Sequence, residues 1–154
     1  MSRTVFGFEP PEDSPGFLLW QTTTVWQRLI KKSLEPYNIS HAQFVVLAIT
    51  LWFEGESREV SQSLIIKQSK LDKMTVSKSL KKLAAEGHIK RIEDKIDTRA
   101  KAIYLTKKGS TLISKLIPII EKIDEDFFAL LKKNDLRSLL GILNSLISAA
   151  EEFP

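Results

Sequence analysis

The chain has 154 residues, of which 43% are hydrophobic, and its formal net charge is +4. This length fits one domain, and this apolar fraction can bury a core, which excludes a disordered tail. Cysteine is absent, so disulfides, thiolate metal sites and cysteine redox sensing are excluded. No apolar segment typical of a signal peptide opens the chain, and its most apolar stretch, 44–53, is too short to cross a bilayer. We therefore expect a cytoplasmic protein with no membrane partner.

The basic residues are concentrated in one part of the chain. Residues 67–108 contain thirteen Lys or Arg and five Asp or Glu, a net charge of +8, whereas the remainder carries −4. A neutral-to-acidic body with one basic module predicts that a polyanion binds at one place. Nucleic acid fits this pattern better than a membrane surface, which would need a basic amphipathic helix with bulky apolar residues free to insert.

The first helix is predicted after an N-terminal arm, residues 1–13, that is rich in proline and acidic residues. Ser14 and Pro15 suit the cap and the first position of a helix, which we expect to end at about residue 35, before Pro36. Trp20 and Trp26 lie on this helix, and two tryptophans indicate heavy burial. They predict core packing, a dimer interface or the wall of an aromatic ligand pocket.

The next segments predict a helix-turn-helix. Ser40 and Gln43 fit a capping box that opens a helix ending at about residue 54, and residues 57–60 predict a very short strand. Ser61 is a cap for a short helix that runs to about residue 68. Residues 69–71 then form a tight turn before a helix that carries cations, which is the helix-turn-helix pattern.

The cationic helix begins at Asp72, whose carboxylate can accept hydrogen bonds from the first turn, and ends at Gly87. Val76, Leu80 and Leu83 form one apolar stripe. The opposite face carries Lys78, Lys81 and Lys82, and Met74 and Thr75 lie near the start of the same face. All five are candidate DNA contacts. The alternative interpretation is an ordinary surface helix with a solvated charged face.

Two β-prone runs, 88–93 and 101–105, flank a charged tip at 93–100 and predict a hairpin. The tip is too long for a two-residue turn, so we expect it to project. A projecting Arg99 beside Lys95 suits the narrow minor groove of DNA, where negative potential is concentrated. The alternative is a solvated loop in which Asp97 contacts Arg99.

The C-terminal part predicts two more helices. Thr106 caps a long helix that extends to about residue 131 and is bent by Pro118. Asn134 is predicted to cap a last helix over 135–150, in which leucine and isoleucine recur at spacings of three and four. These helices carry more apolar surface than a small DNA-binding module needs, which predicts a dimer interface formed together with the first helix.

The sequence contains no pattern typical of an enzyme, a metal site or a cofactor site. Asp124, Glu125 and Asp126 are consecutive helical residues, so they fan out around the axis and cannot converge on a metal. His41 is interpreted as a packed or capping residue, with effector contact as the alternative. His88 is interpreted as structural or as a neighbour of a phosphate.

Several motifs together resemble the MarR family of prokaryotic transcription regulators. The resemblance is carried by MTVSKSLKKLAAEGHIKR, then D-x-x-D-T-R-A, then Leu105-Thr106-x-x-Gly109, with SPGFLLW at 14–20 and HAQFVVLA at 41–48 upstream. It implies a mainly α fold with a small antiparallel β wing, a winged helix-turn-helix. It also implies a single domain, 14–154, with the winged helix-turn-helix at about 40–106 and dimerisation helices at about 14–35 and 107–150.

The resemblance implies a homodimeric, sequence-specific transcription regulator, usually a repressor, that binds a palindromic double-stranded DNA operator. Base edges are assigned to Thr75, Ser77 and Lys78. Asp97 is carried over from the family pattern as the residue that orients Arg99. The full predicted DNA-contacting set, in which Lys73, Lys81, Lys82 and Lys101 hold phosphates, is Lys73, Met74, Thr75, Ser77, Lys78, Lys81, Lys82, Lys95, Arg99 and Lys101.

The resemblance further implies a small aromatic or anionic effector lodged between the dimer helices and the DNA-binding module. The candidate contacts, for each of which plain core packing is the alternative, are Phe17, Trp20, Gln21, His41 and Phe44. A second class of function is a winged helix used as a protein-interaction module, or as a non-specific architectural DNA-binding module. Salt dependence separates these classes, since only phosphate contacts give a steep loss of affinity with salt.

Overall fold

A computed structural model describes residues 5–93 and 101–152 of the chain. The described residues form six α-helices and one antiparallel pair of strands, which confirms the predicted mainly helical fold with a small β-sheet. In chain order the elements are α1 (Pro15–Leu34), α2 (His41–Gly55), α3 (Gln62–Ser69), α4 (Lys73–Ala85), β1 (Ile89–Glu93), β2 (Lys101–Leu105), α5 (Lys107–Phe128) and α6 (Lys133–Ala150).

The helix starts follow the predicted caps. The Ser14 side chain accepts a hydrogen bond from the N–H of Phe17 at 3.3 Å. Ser40 and Gln43 form a complete capping box, in which each side chain accepts from the backbone N–H of the other. The Ser61 hydroxyl accepts from the N–H of Leu64. These side chains satisfy N–H groups that have no partner within the helix, so they fix where α1, α2 and α3 begin.

The chain divides into two compact units, residues 1–120 and residues 121–154. Within the first unit, α2 is the central element, because it contacts α1, α3, α4 and β2. Burial of apolar side chains between these elements is the main force that stabilises the unit. Its fully buried residues come from all five helices of the unit and from β2, and they include Ile30, Leu34, Val46, Leu47, Ile65, Val76, Leu80, Leu83, Ile103, Ile113 and Leu116.

The predicted strand at 57–60 is wrong. Ser57 has a left-handed φ of 55°, and the N–H of Arg58 donates to the carbonyl of Phe53, so this segment closes the end of α2 instead of extending. What remains of the pairing is an isolated bridge between Ser61 and Ala102, with the N–H of Ile103 donating to the carbonyl of Val60. The sheet in the described part of the chain therefore has two strands.

The predicted cap of the last helix is also wrong. α6 begins at Lys133, and the residue before it, Lys132, occupies the cap position without a side-chain hydrogen bond. Asn134 lies inside the first turn, because the N–H of Leu136 already donates to the carbonyl of Lys132 at 2.9 Å. The preceding helix, α5, ends at Phe128, close to the predicted end, and contains Pro118.

Apolar side chains remain exposed on two helices that the sequence assigns to dimerisation. In the first unit, Trp20 on α1 is 69% exposed. In the second unit, α6 has no buried residue. Its exposed apolar side chains are Leu140, Ile142, Leu146 and Ile147. Within the ranges that the structure describes, no helix has the length and apolarity to cross a bilayer.

Candidate nucleic-acid interface

The start of α4 is held by Asp72. Its carboxylate accepts the backbone N–H of Thr75 at 2.8 Å and the Thr75 hydroxyl at 2.6 Å. The hydroxyl bond, followed by the backbone bond, lowers the pKa of Asp72 below its ordinary value. Asp72 therefore stays ionised at the positive end of the helix dipole, and it fixes the side chain of Thr75 as well as the first turn.

One face of α4 is buried and the other is open to solvent. Val76, Leu80 and Leu83 are fully buried, as the apolar stripe predicts. Most of the predicted DNA-contacting residues of this helix are exposed, namely Lys73, Met74, Ser77, Lys78, Lys81 and Lys82. Thr75 differs, since it is half-buried and its hydroxyl is bonded to Asp72. The helix thus presents four lysines and two small or flexible side chains on one accessible side.

The end of α4 is joined to β1 and α5 by a set of backbone hydrogen bonds. Gly87 has a φ of 78°, the left-handed conformation expected just after a helix end. The N–H of His88 then donates to the carbonyl of Leu83. From the other side, the Thr106 hydroxyl donates to the carbonyl of Gly87 at 2.6 Å, and the N–H of Thr106 donates to the carbonyl of His88.

Two further residues of α5 complete this junction. The Lys108 ammonium donates to the carbonyl of Glu86 at 2.8 Å. Gly109 packs so closely that a Cβ built on it would lie 1.9 Å from the carbonyl oxygen of His88. We name this junction, residues 86–88 with Thr106, Lys108 and Gly109, the α4–α5 clasp. It positions the cationic helix relative to the strands that follow it.

The two strands pair in an antiparallel register, with Ile89 opposite Leu105 and Arg91 opposite Ile103. The Glu54 carboxylate accepts the N–H of Leu105 at 2.8 Å, which ties β2 to α2. The predicted tip residues Lys95, Asp97 and Arg99 lie outside the described residues. Lys101, the remaining predicted contact, is the first residue of β2. The structure therefore places the base of the hairpin beside the cationic helix.

The predicted effector residues do not converge on one cavity. Trp20, Gln21 and Phe17 are exposed in the single chain, whereas Phe44 is buried in the core. His41 is half-buried, and its ring meets that of Trp26 edge to face, with the centroids 5.2 Å apart. The described residues thus bring only His41 of this group to the cavity described next.

A cavity of about 720 Å³ opens between α1, the start of α2 and the turn before α4. Its wall combines aromatic and apolar surface with two lysines, Lys31 on α1 and Lys82 on α4. The lining residues are Trp26, Gln27, Lys31, Glu35, Asn38, Ile39, Ser40, His41, Ala42, Val45, Ser69, Leu71 and Lys82. Cationic groups beside apolar walls can hold a small aromatic anion. In the part of the chain that the structure describes, no group of acidic and histidine side chains could hold a metal ion.

Sequence reasoning missed the residues of the clasp and most of the cavity. The motif Leu105-Thr106-x-x-Gly109 was a usable signal for the clasp, because a threonine cap followed by a glycine in a first turn indicates a close approach. No comparable signal exists for the cavity, since Trp26, Lys31 and Lys82 are brought together by packing of helices that are distant in sequence.

Comparison with known proteins agrees with this geometry. Residues 35–123 match the family model described as ArnR1-like, winged-helix domain. The chain is 36% identical over 138 residues to the uncharacterized HTH-type transcriptional regulator YdcH of Bacillus subtilis, and the match covers 88% of this chain and 94% of that protein. These relatives are transcriptional regulators, not enzymes.

Solved structures share the fold at low sequence identity. One is a mutant MarR from E. coli complexed with operator DNA, with a TM-score of 0.74 and 20% identity, covering 85% of this chain and 91% of that one. Another is Bordetella bronchiseptica BpsR, whose DNA binding is regulated by 6-hydroxynicotinic acid. It has a TM-score of 0.79 and 21% identity, covering 91% of this chain and 97% of that one.

Proposed function

This chain belongs to the MarR family of winged helix-turn-helix transcriptional regulators, and from that membership we propose that it is a homodimeric repressor released from a palindromic operator by a small effector. The observation that carries the proposal is the open, lysine-bearing face of α4, whose other face is fully buried. A helix of this size fits the major groove of B-DNA, and its start and end are fixed by Asp72 and by the α4–α5 clasp.

Each predicted DNA-contacting residue of α4, together with Lys101 on β2, has a proposed role. Ser77 and Lys78 read base edges, because they lie near the N-terminal end of the helix, which enters the groove. Thr75 reads bases through its methyl group and the two lone pairs of its hydroxyl oxygen, since its hydroxyl proton is donated to Asp72. Met74 packs against the groove. Phosphates are held by the outer cations Lys73, Lys81, Lys82 and Lys101.

The hairpin tip supplies the second contact in this proposal. Arg99, with Lys95, enters the adjacent minor groove, and Asp97 orients Arg99 without touching DNA. The supporting observation is that β1 begins directly after His88 and β2 ends directly before Thr106, so both strands start from the clasp end of the hairpin. The domain division proposed from sequence follows: a winged helix-turn-helix at about 40–106, an arm at 1–13, and dimerisation helices at about 14–35 and 107–150.

Dimerisation is supported by apolar surface that a single chain leaves open. The exposed side chains Trp20 on α1 and Leu140 and Ile147 on α6 suit burial against a second copy. We expect the protein to sediment at twice its 17.5 kDa chain mass. The double variant Leu140→Glu and Ile147→Glu should sediment as a monomer. It should also bind DNA more weakly, because a monomer cannot occupy two half-sites at once. If the double variant remained dimeric, α6 would not be part of the dimer interface.

The effector is proposed to bind in the cavity bounded by Trp26, His41, Lys31 and Lys82, which shares His41 with the group of contacts predicted from sequence. Lys82 belongs to α4 and also lines this cavity. Its ammonium lies 4.0 Å from the carboxylate of Glu86. An aromatic carboxylate held there would compete for the charge that Lys82 offers to DNA. Ligand binding and DNA binding would then oppose each other through one side chain.

The effector proposal predicts a coupled change in fluorescence and DNA affinity. In a Trp20→Phe, Trp52→Phe variant, Trp26 is the remaining emitter, since the chain has three tryptophans. Benzoate and larger aromatic carboxylates should change its emission and weaken DNA binding over the same concentration range. Lys31→Gln should abolish both effects, whereas Lys122→Gln on α5 should leave both intact. A panel that alters neither signal would contradict the proposal.

The proposed function itself is tested by selection from a randomised duplex pool. A two-fold symmetric dimer should enrich palindromes whose half-sites are separated by one helical turn, roughly 10 base pairs. Enrichment of an asymmetric site would contradict the dimeric arrangement. A pool that shows no enrichment would favour a non-specific architectural role or a protein-interaction module.

A further inference from the structure

The side chain of His88 is buried at the junction of α4 and β1. The residue is 8% exposed, and its Nδ1 has no hydrogen-bond partner among the described residues. Its Nε2 lies 3.8 Å from the carboxylate of Glu86. A neutral imidazole carries one N–H, so placing that hydrogen on Nε2 leaves Nδ1 as a bare acceptor. Protonation would add a second N–H, at Nδ1, in a place where no acceptor meets it.

Two charged groups act on this imidazole. Glu86, at the end of α4, attracts a proton to it, and Lys108, on α5, repels one. Burial lowers the pKa of His88 below its ordinary value of 6.5, the Lys108 charge lowers it further, and Glu86 partly offsets both. Burial has the largest effect on this pKa, because an imidazolium removed from water loses its hydration without gaining a close partner. The surroundings therefore favour the neutral ring.

The backbone of His88 cannot easily move the ring out to solvent. Its N–H donates to the carbonyl of Leu83, and its carbonyl accepts the N–H of Thr106 at 3.1 Å. Gly109 packs directly against that carbonyl. Exposing the ring by a movement of the His88 backbone therefore requires the α4–α5 clasp to open, and the clasp fixes the end of the cationic helix relative to the strands.

We propose that His88 is a positioning residue for DNA binding: its neutral ring closes the clasp, and its protonation opens the clasp and weakens operator binding. This inference rests on the proposed function. It makes the regulator sensitive to acid in addition to any effector. It also differs from a phosphate contact by His88, because an imidazolium beside a phosphate would strengthen DNA binding as the pH falls.

The sign and size follow from linkage. The open clasp exposes a ring of ordinary pKa, about 6.5, whereas the closed clasp holds the pKa lower. The closed clasp is therefore fully stabilised at pH values above about 6.5, and its population decreases as the pH falls below that value. If only the open state took up the proton, the ratio of open to closed clasp in one subunit would rise about tenfold by pH 5.5, which is the upper limit for one site. Operator affinity falls as the open state becomes populated, so we expect a loss of up to about tenfold for each of the two subunits between pH 7.5 and 5.5.

The first test measures anisotropy of a labelled duplex, selected by the wild-type protein at pH 7.5, across that pH range. His88→Gln should bind with little pH dependence, and Lys122→Gln, at an exposed residue of α5 that belongs to neither the clasp nor the cavity, should keep the wild-type dependence. Affinity that is constant, or that rises as the pH falls, would overturn the inference. Specific binding at pH 7.5 tests the proposed function separately, so the two failures are distinguishable.

The second test needs no variant. The C–H resonances of the two histidines report their pKa values in the free protein and in the complex with the selected duplex. Because coupling is reciprocal, DNA that prefers the neutral ring must lower the pKa of His88 on binding. An unchanged or raised pKa of His88 in the complex would overturn the inference, even if His88→Gln failed to fold.

Discussion

Replacing Lys73 and Lys81 by glutamine should weaken operator binding by about a thousandfold at 0.1 M salt, without loss of folding. Both side chains are exposed on α4, so the fold does not depend on them. A homodimer would lose four phosphate contacts. Each contact contributes about 0.9 to the slope of log affinity against log salt, so the slope should fall by about 3.6. Anisotropy titrations at four or five salt concentrations measure both quantities.

The matched control is Lys132→Gln with Lys133→Gln, which removes the same charge from two exposed lysines at the start of α6. It should change the slope by less than about one contact, or roughly 0.9. If the two double variants lost equal affinity, the binding would depend on net charge and not on α4. That outcome would contradict the assignment of α4 as the DNA-reading helix.

Gly109→Ala should destabilise the fold by about 2 kcal/mol or more, although alanine normally favours a helix over glycine by about 1 kcal/mol. The reason is the carbonyl oxygen of His88, which a Cβ at this position would meet at 1.9 Å. The obstacle is backbone, so α5 must shift and the α4–α5 clasp must open. Chemical denaturation measures the free energy of unfolding, and DNA affinity should fall in the same variant.

Gly16→Ala is the matched control for Gly109→Ala. Gly16 also lies in the first turn of a helix, α1, but a Cβ there meets nothing within 4 Å. We expect this variant to be as stable as the wild type or slightly more stable. A Gly109→Ala protein of unchanged stability would show that the close packing of α5 on His88 is not required.

Local sequence chemistry was sufficient to predict most of the DNA-binding module. Asp72 and Gly87 mark the two ends of α4, and the spacing of Val76, Leu80 and Leu83 defines its buried face, as the structure confirms. The same holds for Ser40 and Ser61 as caps. These features depend on neighbours within one or two helical turns, so a single sequence contains the information.

Features that depend on distant parts of the chain could not be predicted in the same way. The predicted strand at 57–60 does not form, because Ser57 adopts a left-handed φ directly after α2 and the segment closes the end of that helix. The cavity joins Trp26 to Lys82, which only helix packing brings together. The backbone of His88 is likewise held by Thr106 and packed against Gly109, which lie eighteen and twenty-one residues further along the chain.

Sequence-specific binding of duplex DNA is the property from which every proposed role of α4 follows. The measurement is the anisotropy of a selected palindromic duplex and of its scrambled counterpart, each at two salt concentrations. We predict a preference for the palindrome of about a thousandfold or more at physiological salt, and affinity for both duplexes that falls as salt rises. Equal affinity for the two duplexes, or binding to neither, would contradict the account.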